Sequence, residues 1–129
     1  MKRLFATLAL ATVALAAAAC SSTSATGGTA APAAPADPNA PAITANGLKF
    51  DQASVTVPAG KAFQLSFTNN ESAPHNVAIY TDSSAAQAVF QGEIFSSATK
   101  VYDVPALAAG DYFFRCDVHP DMTGTITAE

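Results

Sequence analysis

The chain has 129 residues, half of them hydrophobic and 12% charged, with six basic against ten acidic side chains and a net charge of −4. That length allows one compact domain, and the acidic balance argues against a nucleic-acid-binding face built from lysine and arginine. Three residue types are scarce: there are two cysteines, two histidines and two methionines.

The chain opens MKRLFATLALATVALAAAAC. Lys2 and Arg3 precede an apolar run, Leu4 to Ala19, that falls short of the ~20 residues of a typical membrane span and ends in small side chains. Residues 1–19 are therefore expected to be a secretory signal peptide, with a retained signal anchor as the other reading. Cys20 follows Ala17, Ala18 and Ala19 directly. A cysteine in that place resembles the bacterial lipoprotein motif, in which the thiol receives a diacylglycerol group and becomes the mature N-terminus. The resemblance implies lipidation at Cys20. Ala17 departs from it, since that motif more often has leucine there, and a secreted protein with a loose thiol is the alternative.

Residues 21–41, SSTSATGGTAAPAAPADPNAP, hold no aromatic residue and almost no apolar periodicity. Such a composition buries too little surface to offset its ordering entropy. Residues 20–41 are expected to be a flexible linker, whose coil span would be about 25 Å and whose extended reach would be on the order of 70 Å. The folded domain is then residues 42–129, held outside the cytoplasmic membrane and facing the periplasm or cell exterior. Without Lys2 and Arg3 the balance is four basic against ten acidic residues, or −6. This charge permits steering toward a basic partner but names none.

From residue 43 onward, short stretches rich in β-branched and aromatic residues alternate with turn signals. Strands are expected at 43–50, 53–57, 61–69, 76–80, 99–104, 111–116 and 123–128, with turns at 58–60, 69–70 and 109–111. Phe63, Leu65 and Phe67 alternate with Gln64 and Ser66, as in a half-buried strand. The pattern is that of an all-β sandwich. Residues 82–95 stand apart: Asp82 or Ser83 could cap a short helix through Ala85, Ala86, Ala88 and Val89 that stops at Gly92, or the segment could be an irregular excursion. In the strand at 111–116, Tyr112, Phe114 and Cys116 share one face. Two of the three are bulky and aromatic, so Cys116 is expected to point inward at the end of a core strand. A buried structural thiol would do the same.

Next comes RCDVHPDMTG, residues 115–124, which places Cys116, His119 and Met122 at Cys-x2-His-x2-Met spacing. These side chains offer a thiolate, an imidazole and a thioether. Soft sulfur donors with imidazole suit copper, and two histidines with a cysteine and a weak axial methionine form the type-1 set. The other histidine, His75, lies in SAPHNVAIY at the start of another strand. Lipidation of Cys20 would leave Cys116 without an intramolecular partner, and metal binding would explain an unpaired thiol in an oxidising compartment. Taken singly, each residue has an ordinary role in a core or a loop.

With PHNV at 74–77 and GDYFFRCDVHPDM at 110–122, most of residues 42–129 resembles the cupredoxin family of small blue-copper proteins, plastocyanin-like and amicyanin-like. The Cys-to-Met spacing is amicyanin-like. The resemblance implies a Greek-key β-sandwich of seven to eight strands with one copper ion, Cu(II)/Cu(I), at one end. It assigns His75, Cys116 and His119 to the trigonal plane and Met122 to the axial position. Asn76 corresponds to the asparagine that braces the ligand loop and helps hydrogen-bond the cysteine sulfur. Tyr112 and Phe114 match aromatic core positions, and His119 should be the ligand nearest the surface. Ala73, Pro74 and Pro120 would contribute to an apolar docking face, while Asp117 and Asp121 are expected to face solvent.

The function implied is one-electron transfer by a monomeric, lipid-tethered carrier between membrane-associated redox proteins. It is not an enzyme: with both histidines used, none remains for a second copper centre, and a methionine replaces the open water position of hydrolytic zinc. Two alternatives are an extracytoplasmic copper carrier or scavenger using the same ligands and a surface module that never meets metal. Reversible redox cycling with copper retained would separate the first reading from both.

Overall fold

The computed structural model describes residues 37–129. The expected signal peptide, Cys20 and the linker as far as residue 36 lie outside the described residues. Residues 37–40 form a turn, Ala40 N donating to Asp37 O at 2.9 Å, and the Asp37 amide donates to Gln64 Oε1 at 2.8 Å.

Eight strands and no helix are found among the described residues: β1 (Ala42–Ala45), β2 (Ser54–Val57), β3 (Phe63–Asn69), β4 (Ala78–Tyr80), β5 (Ala88–Gln91), β6 (Ala98–Val104), β7 (Gly110–Arg115) and β8 (Thr123–Ala128). They form a three-stranded sheet in the order β1-β3-β6 and a five-stranded sheet in the order β2-β8-β7-β4-β5. β1 runs parallel to β3 and β2 parallel to β8, while the other pairs are antiparallel. The chain changes sheet after β1, β2, β3, β5 and β6, as in a Greek-key sandwich.

Alternation decides which residues fill the space between the sheets. In β3, Leu65 and Phe67 are fully buried while Gln64, Ser66 and Thr68 are only partly covered. In β8, Ile126 and Ala128 turn inward, and in β7 Phe114 does so with Tyr112 packed behind it. Three edge-to-face or tilted aromatic contacts tie the sheets together, from Phe50 to Phe67, from Phe50 to Phe114 and from Phe67 to Phe95. Rings at such spacings add stabilisation beyond their buried area.

Two local expectations are corrected. The stretch 43–50 is not one strand. It ends at Ala45 and reverses in a tight turn, Asn46 N donating to Lys49 O at 2.9 Å, with Gly47 at φ 63° and Leu48 at φ 57°. The reversal brings Phe50 back against Ala45 and its ring into the core. Residues 82–95 are neither a helix nor wholly irregular. Asp82 caps a turn instead, its Oδ1 accepting the Ser84 amide at 2.8 Å, and the chain then enters β5 beside β4. Val89 and Phe90 are packed against the core there. Gly92 closes the strand where its amide meets Val77 O at 2.9 Å. A Cβ there would come within 3.0 Å of that oxygen and 3.1 Å of the Tyr102 ring.

Candidate metal centre

The strands bring two distant segments to one end of the sandwich. His75 lies just ahead of β4 and is paired with Phe95 by two backbone hydrogen bonds of 3.0 Å. Asn69, at the end of β3 and 1% exposed, donates from Nδ2 to Ala73 O and Phe95 O at 2.9 and 2.7 Å, which pins the turn leading into His75. The second segment is the loop from β7 to β8. Cys116 N donates to Met122 O at 3.0 Å and Met122 N to His119 O at 2.9 Å, so the loop closes on itself between the first and last of the expected ligands. Pro120 stiffens the exposed side of that loop by fixing its own φ.

Three donors converge as a result. Cys116 Sγ lies 3.7 Å from His75 Nδ1 and 3.9 Å from His119 Nδ1, and the two Nδ1 atoms are 3.1 Å apart. They form the one cluster of three or more such side chains found among the described residues that could hold a metal ion. The point equidistant from the three atoms lies ~2.1 Å from each, close to the ~2.0–2.1 Å and ~2.3 Å that a first-row metal such as zinc takes to nitrogen and sulfur. His75 and Cys116 are fully buried and His119 is partly exposed. Met122 is 1% exposed at the end of the same loop. The residues fit a metal, and a buried thiolate with two imidazoles and a thioether nearby fits copper better than magnesium, calcium or a hydrolytic zinc.

Asn76 braces the ligand loop. Its Oδ1 accepts the Asp117 amide at 2.8 Å, and its Nδ2 donates to Asp117 Oδ2 at 2.9 Å and to Gly92 O at 3.1 Å. These bonds run to Asp117 and Gly92; the expected contact with the Cys116 sulfur is not among them.

Asp117 is a correction. It was expected to face solvent, yet its side chain is 22% exposed and ties three segments to the ligand loop. Oδ1 accepts the Tyr80 hydroxyl, while Oδ2 accepts Asn76 and the Gln91 amide at 3.1 Å. Arg115 Nε lies 3.5 Å from Oδ1, and the Arg115 guanidinium sits over the Tyr80 ring. Burial by itself would raise the Asp117 carboxyl, but the bonds from Tyr80, Asn76 and Gln91 and the Arg115 charge outweigh it and hold the pKa below the ordinary value. Burial, then the Asp117 carboxylate, push the Tyr80 hydroxyl upward. Asp121, by contrast, is exposed as expected.

Sequence reasoning did not single out Glu71. Its Oε2 lies 2.9 Å from His75 Nε2, the ring nitrogen on the far side from the cluster. The Leu48 amide lowers the Glu71 carboxyl most; burial opposes this and His75 assists it. An acid four residues before a histidine carries no signal outside a helix, so only the turn at 70–74 reveals the pair. Ala73, Pro74 and Pro120 stand at this end of the molecule, Pro74 and Pro120 exposed and Ala73 partly so. Ile94 and Val118, at 56% and 39% exposure, are exposed large hydrophobic residues on the segments next to Phe95 and His119.

A family model described as a cupredoxin-like domain matches residues 8–128. No curated protein matches the chain. Among solved structures, auracyanin from the photosynthetic bacterium Roseiflexus castenholzii, in its dithionite-reduced form, is 19% identical with a TM-score of 0.64. The match covers 74% of this chain and 99% of that one. Amicyanin from Paracoccus versutus is 29% identical with a TM-score of 0.57, over 72% of this chain and 84% of that one. A Cu(I) form of an amicyanin variant is 23% identical with a TM-score of 0.55, over 70% and 82%.

Proposed function

The chain belongs to the cupredoxin-like family, and from that premise we propose that it is a one-electron carrier with a single type-1 copper held by His75, Cys116, His119 and Met122. The observation that carries the proposal is the triangle of His75 Nδ1, Cys116 Sγ and His119 Nδ1, whose edges suit one metal ion. Bound copper would supply a Cu(II)/Cu(I) couple, stable in both states because thiolate and thioether favour the reduced ion and imidazole accommodates either.

The protein's own contribution is restraint. Cys116 is held by the end of β7 and by its amide bond to Met122 O, His75 by Phe95, and the loop between them by Asn76 and Asp117. Donors fixed in this way cannot rearrange freely when charge changes, so the energy of reorganisation stays small. Full burial of His75 and Cys116 excludes water from two of the three donors. His119, the more exposed ligand, offers the electron its route to a partner across the surface formed by Pro74, Val118 and Pro120. Burial of Cys116 also supports retention of the metal over release, which favours electron transfer above delivery. Cys20 would carry the lipid, and residues 21–36 would give the domain reach from an extracytoplasmic membrane surface to its redox partners.

The test is the visible absorption spectrum of the purified protein during Cu(II) addition, with Cys116→Ser beside it. An intense blue sulfur-to-copper band is expected, bleached by reductant, restored by oxidant and absent from Cys116→Ser. A colourless protein, or weak colour indifferent to the substitution, would sink the proposal. Loss of copper after one redox cycle would favour a delivery role.

A further inference from the structure

His75 is fully buried, and its Nε2 has a single hydrogen-bond partner, Glu71 Oε2 at 2.9 Å. A carboxylate only accepts, so the hydrogen must sit on Nε2. In the neutral ring this leaves the lone pair on Nδ1, the nitrogen that faces Cys116 and His119. We propose that Glu71 is a positioning residue of the metal centre: gripped by an exposed turn, its carboxylate fixes the tautomer of His75 and biases the bound copper toward its oxidised state. The redox half of this inference rests on the copper reading above; the tautomer half does not.

The hold on Glu71 is built from both directions. On the main chain, Glu71 N donates to Asn69 Oδ1 at 2.8 Å, and Glu71 O accepts the Ser97 amide at 2.9 Å and the Ser97 hydroxyl at 3.1 Å. At the side chain, Oε2 accepts the Leu48 amide at 3.2 Å. Leu48 has φ 57°, a left-handed conformation that non-glycine residues adopt at a cost, and its side chain is 53% exposed. The tight turn at 46–49 sets that conformation, and the same turn presents the Leu48 amide to Glu71. A line of contacts therefore runs from the turn after β1, through Glu71, to the buried imidazole.

The consequence for the metal follows from charge. A carboxylate on the far nitrogen orients a ligating imidazole and strengthens it as a donor. A stronger donor, with a negative charge one ring away, stabilises Cu(II) more than Cu(I). Glu71 is 22% exposed on its side chain, so solvent screens that charge only in part.

Two measurements test this. In the metal-free protein, nitrogen-15 NMR of the imidazoles should place the hydrogen of His75 on Nε2, and Glu71→Ala should bring the Nδ1–H form into the mixture. A wild-type His75 carrying its hydrogen on Nδ1 alone would overturn the proposal whatever copper does. In the copper-loaded protein, Glu71→Gln keeps an acceptor opposite Nε2 and removes the charge. The preference for Cu(II) over Cu(I) should fall about tenfold, read as an upward shift of the midpoint by ~59 mV for one electron. Glu71→Ala should weaken copper binding by about 10–100-fold. A merely structural Glu71 would lower the melting temperature of both variants and leave tautomer and midpoint where they were, which refutes the inference. An unmoved midpoint in a Glu71→Gln protein that still shows the blue band refutes its redox half and spares the function. A wild-type protein with no blue band removes the copper reading and that redox half together, while the NMR result still decides the positioning half.

Discussion

Asp117 stands next to the proposed ligand Cys116, and its oxygens are engaged by Tyr80, Asn76 and Gln91 rather than left to the metal or to water. Asn76, 2% exposed, depends on the same carboxylate for one of its donor bonds. Removing either partner leaves the other with a buried polar group unmet, at about 1–3 kcal/mol. The two substitutions should therefore not add. In metal-free protein, denaturant unfolding of Asn76→Ala, Asp117→Ala and the double variant should give a coupling of about 1–2 kcal/mol. Strict additivity would show that the loop is held by other bonds. At this scale the sequence was legible where residue types are rare. Cys116, His119 and His75 stood out because the chain holds so few of their kind, and they do converge. Glu71 and Asp117 are two of ten acidic residues. Nothing local distinguishes them, since their roles depend on the turn at Leu48 and on the edge of β5, both distant along the chain.

Among the elements, strands with clean alternation were readable and those shaped by close approach were not. β3 and β8 follow their period-2 pattern, whereas β5 was obscured because Ala85, Ala86, Ala88 and Val89 also satisfy a helical spacing. What decides for a strand is the neighbouring β4 and the bare backbone at Gly92, neither visible in a short window. The pairing of β7 with β8 depends on another close approach. Gly124 lies opposite Phe114, and a Cβ at that position would overlap the Phe114 ring and come within 3.0 Å of Ala53 O. Phe114 is fully buried, so the ring has no free space into which to retreat. Gly124→Ala should destabilise the protein by about 1–3 kcal/mol through overpacking, measured by urea unfolding. It should also disturb the blue band, because Phe114 shares a face with Cys116 two residues on. A loss under about 0.5 kcal/mol would mean that the Phe114 ring moves aside readily and that this crossing is looser than its geometry implies.

Considered whole, the domain is polar in both geometry and charge. The described chain begins at Asp37, whose amide bonds Gln64 near the start of β3, while Asn69 at the end of β3 reaches the turn that carries His75. Five residues of strand separate those points, or roughly 17 Å, so the described chain begins away from the proposed copper. All ten acidic residues lie within 37–129, with four basic ones: Lys49, Lys61, Lys100 and Arg115. Two of those four are already engaged, Lys100 with Glu93 and Arg115 near Asp117. Any charged reagent approaching His119 thus meets a field set by a balance of −6. Steering of this kind falls with ionic strength, since screening acts over about 10 Å at 0.1 M salt. Reduced protein should therefore be oxidised by a small cationic complex at a rate that drops as salt rises, and by an anionic complex of equal driving force at a rate that climbs. Stopped-flow loss of the reduced form, followed as growth of the blue band, measures both slopes. A mature chain trimmed to begin at Asp37 should give the same pair, because the only charged side chains before residue 37 are Lys2 and Arg3 of the expected signal peptide. The reverse pair, a rate that climbs with salt for the cationic complex and drops for the anionic one, would show that the electron leaves through a surface where the local charge opposes the whole.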